Sequence, residues 1–208
     1  DSTFQGSYIM AKYLVELIGT LVLVTTIGMT VMEPGAGDLT PLAIGSALMV
    51  MVYAGGHISG GHYNPAVTVS VWLRGRCSAA DVPGYMVAQI LGALAAAFLV
   101  LFLKGFPTLE AAKAPPVVES LVAELLFTFA LCYVVLNVAT AKATEGNSYF
   151  GLAIGFTVVV GAVAVGGISG GAFNPAVAVG ITVMGLSPWG SCWIFPAANF
   201  AGGILAAI

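Results

Sequence analysis

The sequence predicts an all-α membrane protein: six transmembrane helices plus two re-entrant half-helices, arranged as an inverted repeat. Three observations carry this. The 208 residues are 59% apolar and only 7% charged, with a mean hydropathy of +1.02. A water-exposed surface needs far more charge than that. The chain is also duplicated. Gly55–Val71, GGHISGGHYNPAVTVSV, returns as Val165–Val179, VGGISGGAFNPAVAV, at a shift of 110. Leu42-Ala43-Ile44-Gly45 returns at the same shift as Leu152-Ala153-Ile154-Gly155. Finally, each copy reads as a Gly-rich loop feeding a short helix. Asn64 and Asn174 sit where an N-cap belongs, and Pro65 and Pro175 follow at the first helical position. The apolar runs after them, Ala66–Leu73 and Ala176–Met184, reach about half a membrane thickness at roughly 1.5 Å per residue.

Taken in order, residues 1–8 are polar and belong to the interface. Ile9–Val31 is the first span, and Met32–Asp38 a turn with acidic residues. Thr40–Tyr53 is the second span, leading into the first broken segment, which Arg74 and Arg76 close. Asp81–Leu103 is the third span. Lys104–Pro116, with Glu110 and Lys113, is a solvated connection between the halves. Val117–Thr140 is the fourth span. Lys142, Glu145 and Asn147 solvate a turn, and Tyr149–Val165 is the fifth span. Ser187 opens the sixth, with Trp189 and Trp193 suited to an interfacial belt. The whole of 1–208 thus reads as one domain, with repeats at about 9–103 and 117–208. Each half crosses three times, so the second enters the membrane upside down relative to the first. The two half-helices then enter from opposite faces and their N-termini can meet.

With the N-terminus cytoplasmic, Lys12, Arg74, Arg76 and Lys142 lie inside and Lys104 and Lys113 outside, in keeping with the positive-inside rule. A net charge of −3 argues against a nucleic-acid partner. Cys77, Cys132 and Cys192 have no metal or redox spacing and read as buried small apolar residues. No cofactor is implied. Nothing at the start resembles a cleavable signal peptide, and a chain opening on Asp1 is expected to be processed or trimmed.

Non-helical backbone at membrane depth must face protein or a water-filled cavity, so the Gly-rich runs imply a lumen. The carbonyls of Gly60, Gly61, His62 and Tyr63, and of Gly170, Gly171, Ala172 and Phe173, are expected to form a ladder of acceptors. The amides of Asn64 and Asn174 add donors at the centre. Each half-helix N-terminus carries about +0.5 charge. Two of them, about 5 Å from a passing cation at an effective dielectric near 20, oppose it by about 3 kcal/mol. Neutral solutes feel little of this.

SGGHYNPAV and SGGAFNPAV resemble the paired Asn-Pro-Ala signatures of the aquaporin, or major intrinsic protein, family. The resemblance covers essentially the whole chain. Dipole-based cation exclusion is a known device of aquaporin-type pores. The resemblance implies a passive channel in the lipid bilayer for water and small neutral solutes, assembled as a homotetramer. It implies that Glu16 and Glu124 tie down backbone N–H groups of the broken segments. Proton carriage is the rival role for these two carboxylates, since charge in lipid needs a purpose or a partner.

The chain departs from the family at the filter. The usual Arg after the second Asn-Pro-Ala is Val177 here. Family spacing places the other filter residues at Ile44, Ala162 and Gly171, all small or apolar. A wider mouth without fixed charge is expected, admitting hydrogen peroxide, ammonia, urea or glycerol beside water. The Asp that glycerol facilitators carry two places after the second motif is Ala178.

His62 is expected to brace its loop, and His57 to lie at the cytoplasmic mouth; a pH gate at either is the alternative. Tyr63 and Phe173 are expected to pack the half-helices into the bundle. Gln89 and Asn199, which correspond at the 110 shift, are expected to bond across helices. Two rival functions remain: a secondary transporter with a broken-helix site, and a membrane structural or adhesion protein with a vestigial pore. An enzyme is not expected, as no nucleophile–base pair or metal-ligand cluster appears.

Overall fold

Asn-Pro at the start of each half-helix decides where the backbone turns. The computed structural model describes residues 2–108 and 112–208. Glu110, assigned above to the connection, and the interfacial side chains of residues 1–8 lie outside what is described. Asn64 is extended at φ −157°, ψ 119°, and its Oδ1 accepts from Ala66 N at 2.9 Å and Val67 N at 3.5 Å. Asn174 repeats this at φ −160°, ψ 116°, with 2.9 and 3.4 Å. Each cap satisfies donors that the first turn leaves orphaned. The half-helices that follow are α3 (Pro65–Leu73) and α7 (Pro175–Val183).

The long helices are α1 (Ser2–Val31), α2 (Thr40–Ser59), α4 (Asp81–Leu103), α5 (Val117–Val135), α6 (Phe150–Ser169) and α8 (Ile194–Ala207). A π-turn, Leu136–Thr140, prolongs α5, and a short 3₁₀ turn, Trp189–Ser191, precedes α8. Among the described residues six segments are long and apolar enough to cross a membrane. Trp189 and Trp193 are exposed near one end of the last.

Two boundaries correct the expectation. The helices α2 and α6 run to Ser59 and Ser169, beyond Tyr53 and Val165. Glycine there is helical rather than looped. In α2 a Cβ on Gly55 would collide with the Tyr63 hydroxyl, so that glycine serves close approach, whereas in α6 a Cβ on Gly166 or Gly167 would meet nothing within 4 Å. The helices stop only where Gly60 and Gly170 turn left-handed, at φ 93° and 95°. The irregular segments are therefore just Gly60–Asn64 and Gly170–Asn174.

Packing repeats as the sequence does. The pairs α1–α4 and α5–α8 are the tight ones within each half, and α2–α6 joins the halves. A Cβ on Gly92 would sit 2.5 Å from Leu17 O, and one on Gly202 2.5 Å from Leu125 O. Small residues let these backbones touch, which is how helices associate where lipid removes the hydrophobic drive. Where α2 crosses α6, Gly45 and Gly155 face each other, and a Cβ on Gly45 would lie 2.5 Å from Gly155 O. These two are repeat equivalents, so the pseudo-two-fold axis passes between them. The cysteine expectation holds for Cys132 alone. Cys77 and Cys192 are half-buried, because both lie in the connections that follow the half-helices. Burial, then the Asp81 carboxylate, raises the Cys77 thiol above its ordinary range.

Candidate functional site

The two half-helix tips meet and hold each other. Asn64 Nδ2 donates to Phe173 O at 2.8 Å, and Asn174 Nδ2 donates to Tyr63 O at 2.9 Å. Each Asn thus caps its own helix with its oxygen and pins the opposite half with its nitrogen. One N–H per amide is left over.

The carbonyls can be reached because Tyr63 and Phe173 adopt φ of 50° and 48°. A bulky residue in that region costs about 1–3 kcal/mol and needs surroundings that hold it. Glu16 and Glu124 are placed to do so. Glu16 Oε1 accepts from Ser59 Oγ at 2.7 Å and His62 N at 2.9 Å. Its Oε2 accepts from Tyr63 N at 2.6 Å and Gln89 Nε2 at 2.8 Å. Glu124 repeats the set with Ser169 Oγ, Ala172 N, Phe173 N and Asn199 Nδ2 at 2.7, 2.9, 2.7 and 2.9 Å. All eight partners donate, the pattern a carboxylate accepts. Both carboxylates are fully buried, and neither lines a cavity. The Tyr63 and Phe173 rings are buried in the bundle, Tyr63 Oη donating to Met51 O at 2.9 Å.

Beside the tips runs a cavity of about 300 Å³. It extends from the Asn pair to the face that carries the C-terminal end of α1, where Val31, Thr40 and Pro41 line it. Ile44, Ala162, Gly171 and Val177 come together on its wall. Among the described residues no Asp, Glu, Lys or Arg lines it, and His62 is the one titratable side chain on its wall. The residues expected to offer a ladder of carbonyls divide here. Gly61, His62, Gly170, Gly171 and Ala172 line the cavity, but Gly60, Tyr63 and Phe173 do not. The Tyr63 and Phe173 carbonyls point at the opposite Asn instead, drawn there by the cross-half hydrogen bonds. Gly60 is exposed at the end of α2, outside the cavity.

The two halves are not equally polar. His62 Nδ1 lies 3.1 Å from Thr68 Oγ1, which also accepts from Gln89 Nε2 at 3.0 Å. The Tyr85 ring packs 5.1 Å from His62, and its hydroxyl donates to Ser59 O at 2.6 Å. The second half has Ala172, Ala178 and Phe195 at these places. Asn199 turns instead to Thr128 Oγ1 at 2.9 Å. Thr68 and Tyr85 went unremarked in the sequence. The contrast with Ala178 and Phe195 across the repeat was the available signal. His57 is exposed on the last turn of α2. Among the described residues no group of three or more metal-ligating side chains occurs.

A family model described as "Major intrinsic protein" matches residues 4–208. The chain is 38% identical over 212 residues to a glycerol uptake facilitator protein-like 6 of Lactiplantibacillus plantarum, with 95% of each covered. It is 38% identical over 208 residues to aquaporin NIP1-1 of Oryza sativa subsp. japonica, with 94% of this chain and 72% of that one covered. Among solved structures, the aquaglyceroporin from Plasmodium falciparum is similar in fold. Its TM-score is 0.77 at 21% identity, with 95% and 94% covered.

Proposed function

Because this chain belongs to the major intrinsic protein family, we propose that it passes water together with small neutral solutes, among them hydrogen peroxide, ammonia, urea or glycerol, and turns ions away. It is an integral, multi-pass membrane protein and a passive channel, not an enzyme. The observation that carries the finer reading is the reciprocal Asn–carbonyl closure beside a cavity that no charged side chain lines among the described residues. A solute there meets leftover amide donors, the cavity-lining residues Gly61, Gly170, Gly171 and Ala172, the polar side chains of His62 and Thr40, and otherwise apolar side chains. Such a track trades hydrogen bonds without trapping a neutral guest. Glu16 and Glu124 serve as braces, because their donors fill them and neither faces the lumen. This disfavours the transporter alternative, which would need one of them to carry a proton. The same reading takes the protein as a homotetramer with its N-terminus cytoplasmic. The Lys12–Asp81 ion pair, at 3.1 Å, sits on the face that Arg74 and Arg76 approach.

Ile44, Ala162, Gly171 and Val177 are the filter in this reading. Val177→Arg puts a long cation where a 3% exposed valine lines the cavity. Glycerol permeability in proteoliposomes is expected to fall at least about tenfold by stopped-flow light scattering, and water permeability by much less. Unchanged glycerol entry would remove Val177 from the filter.

Asn64→Asp tests the exclusion of cations. Two half-helix ends supply about +1 in all, and one carboxylate at the tip cancels it. The variant keeps the cap oxygen but loses the donation to Phe173 O. Monovalent cation leak is expected to rise about tenfold or more. An ion-tight Asn64→Asp channel would mean that the paired helix ends are not what excludes cations.

A further inference from the structure

A second chamber of about 320 Å³ lies beside the pore cavity. Lys113 to Pro116, from the connection between the halves, form one wall. The end of α6 and Ser187-Pro188, after α7, form the others. Gly166, Gly170 and Ile181 line this chamber and the pore cavity alike, so the two share a wall.

Among the described residues Lys113 is the one charged residue on the chamber wall. It is exposed, and among the described residues it has no ion pair or hydrogen bond. The other lysine of that face is engaged: Lys104 Nζ donates to Met32 O at 2.8 Å and Pro34 O at 2.7 Å. Glu33 and Asp38 follow α1, and Glu119 stands in the first turn of α5. Among the described residues none of these carboxylates lines either cavity, and the pore cavity has no cation of its own.

We propose that Lys113 supplies the fixed positive charge of this mouth and is a specificity-determining residue, biasing entry against cations and toward neutral and anionic solutes. The proposal rests on the channel reading above. A charge beside the bore rather than in it leaves the bore open to bulky neutral guests, which a cation projecting from position 177 would not. Acting over about 10 Å at an effective dielectric near 40, a unit charge changes a monovalent ion's local concentration about fourfold.

The test reads the local potential with a thiol on the shared wall. Gly166→Cys suits this, because a Cβ there meets nothing within 4 Å. In detergent-solubilised full-length protein, the thiol is reacted with sulfonatoethyl and trimethylammonioethyl methanethiosulfonate. The rate of protein lacking the reporter is subtracted. Adding Lys113→Gln is expected to lower the anionic-to-cationic rate ratio about tenfold, and Lys113→Glu about tenfold further. Lys113→Arg should retain the ratio, and 1 M salt should compress all the differences. Equal ratios for Lys, Gln and Glu would overturn the proposal, as would a thiol that neither reagent reaches. Water flux through Lys113→Gln proteoliposomes is measured in parallel and is expected to match the parent. If neither passes water, the channel reading fails while the ratio still reports the charge at residue 113.

Discussion

Glu16→Ala is expected to lower the thermal midpoint of the purified protein by about 10 °C, or to prevent its recovery as a folded species. Four donors converge on this carboxylate. The Ser59 hydroxyl and the Gln89 amide can rotate to new partners. The N–H groups of His62 and Tyr63 cannot, and each orphaned backbone donor costs about 1–3 kcal/mol. The Tyr63 backbone, at φ 50°, would also lose what holds it. Glu16→Gln should be milder. Its oxygen can still accept from Ser59 and His62, and Gln89 can turn its unpartnered Oε1 toward the new amide. One clash remains, between that amide and Tyr63 N–H. The expected order in a detergent melting scan is wild type, then Gln, then Ala, with Glu124 behaving alike. Intact melting with altered pH dependence of flux would support proton carriage instead.

Gly45→Ala and Gly155→Ala are each expected to destabilise by about 1–3 kcal/mol, and the pair by less than the sum. Each added methyl collides with a backbone carbonyl of the opposite helix, which cannot swing away as a side chain tip can. The Gly45 methyl meets a Val159 methyl as well. Once α2 and α6 have separated to admit one methyl, the second finds the space already made. Full additivity in urea or thermal unfolding would mean that the two glycines do not share one contact. The separation should also widen the cavity near Ile44, so water permeability of the surviving protein is expected to shift.

The fold was legible because its signals were repeated. Apolar runs marked the spans, and Asn-Pro marked both half-helix starts to within a residue. The braces were legible as two carboxylates with no business in lipid unless paired. Three features were not. Glycine is ambiguous between loop and helix, so the sequence places the ends of α2 and α6 too early, at Tyr53 and Val165. Carbonyl direction depends on a single dihedral, and nothing in the sequence told that Tyr63 and Phe173 aim at the opposing Asn. The His62–Thr68–Gln89 cluster draws on a loop and two helices. Only its lack of a counterpart in the second half could have flagged it.

The exchanged amide bonds at the tips bear on how the polypeptide is born. Until residues 173 and 174 have left the ribosome, the Tyr63 carbonyl and the Asn64 amide lack the partners they end with. The earlier half must wait in the bilayer with polar backbone uncovered, sheltered by translocation machinery or by stray water. Two fragments parted between Lys104 and Pro116 and produced together should therefore rescue one another, whereas either made alone should be degraded.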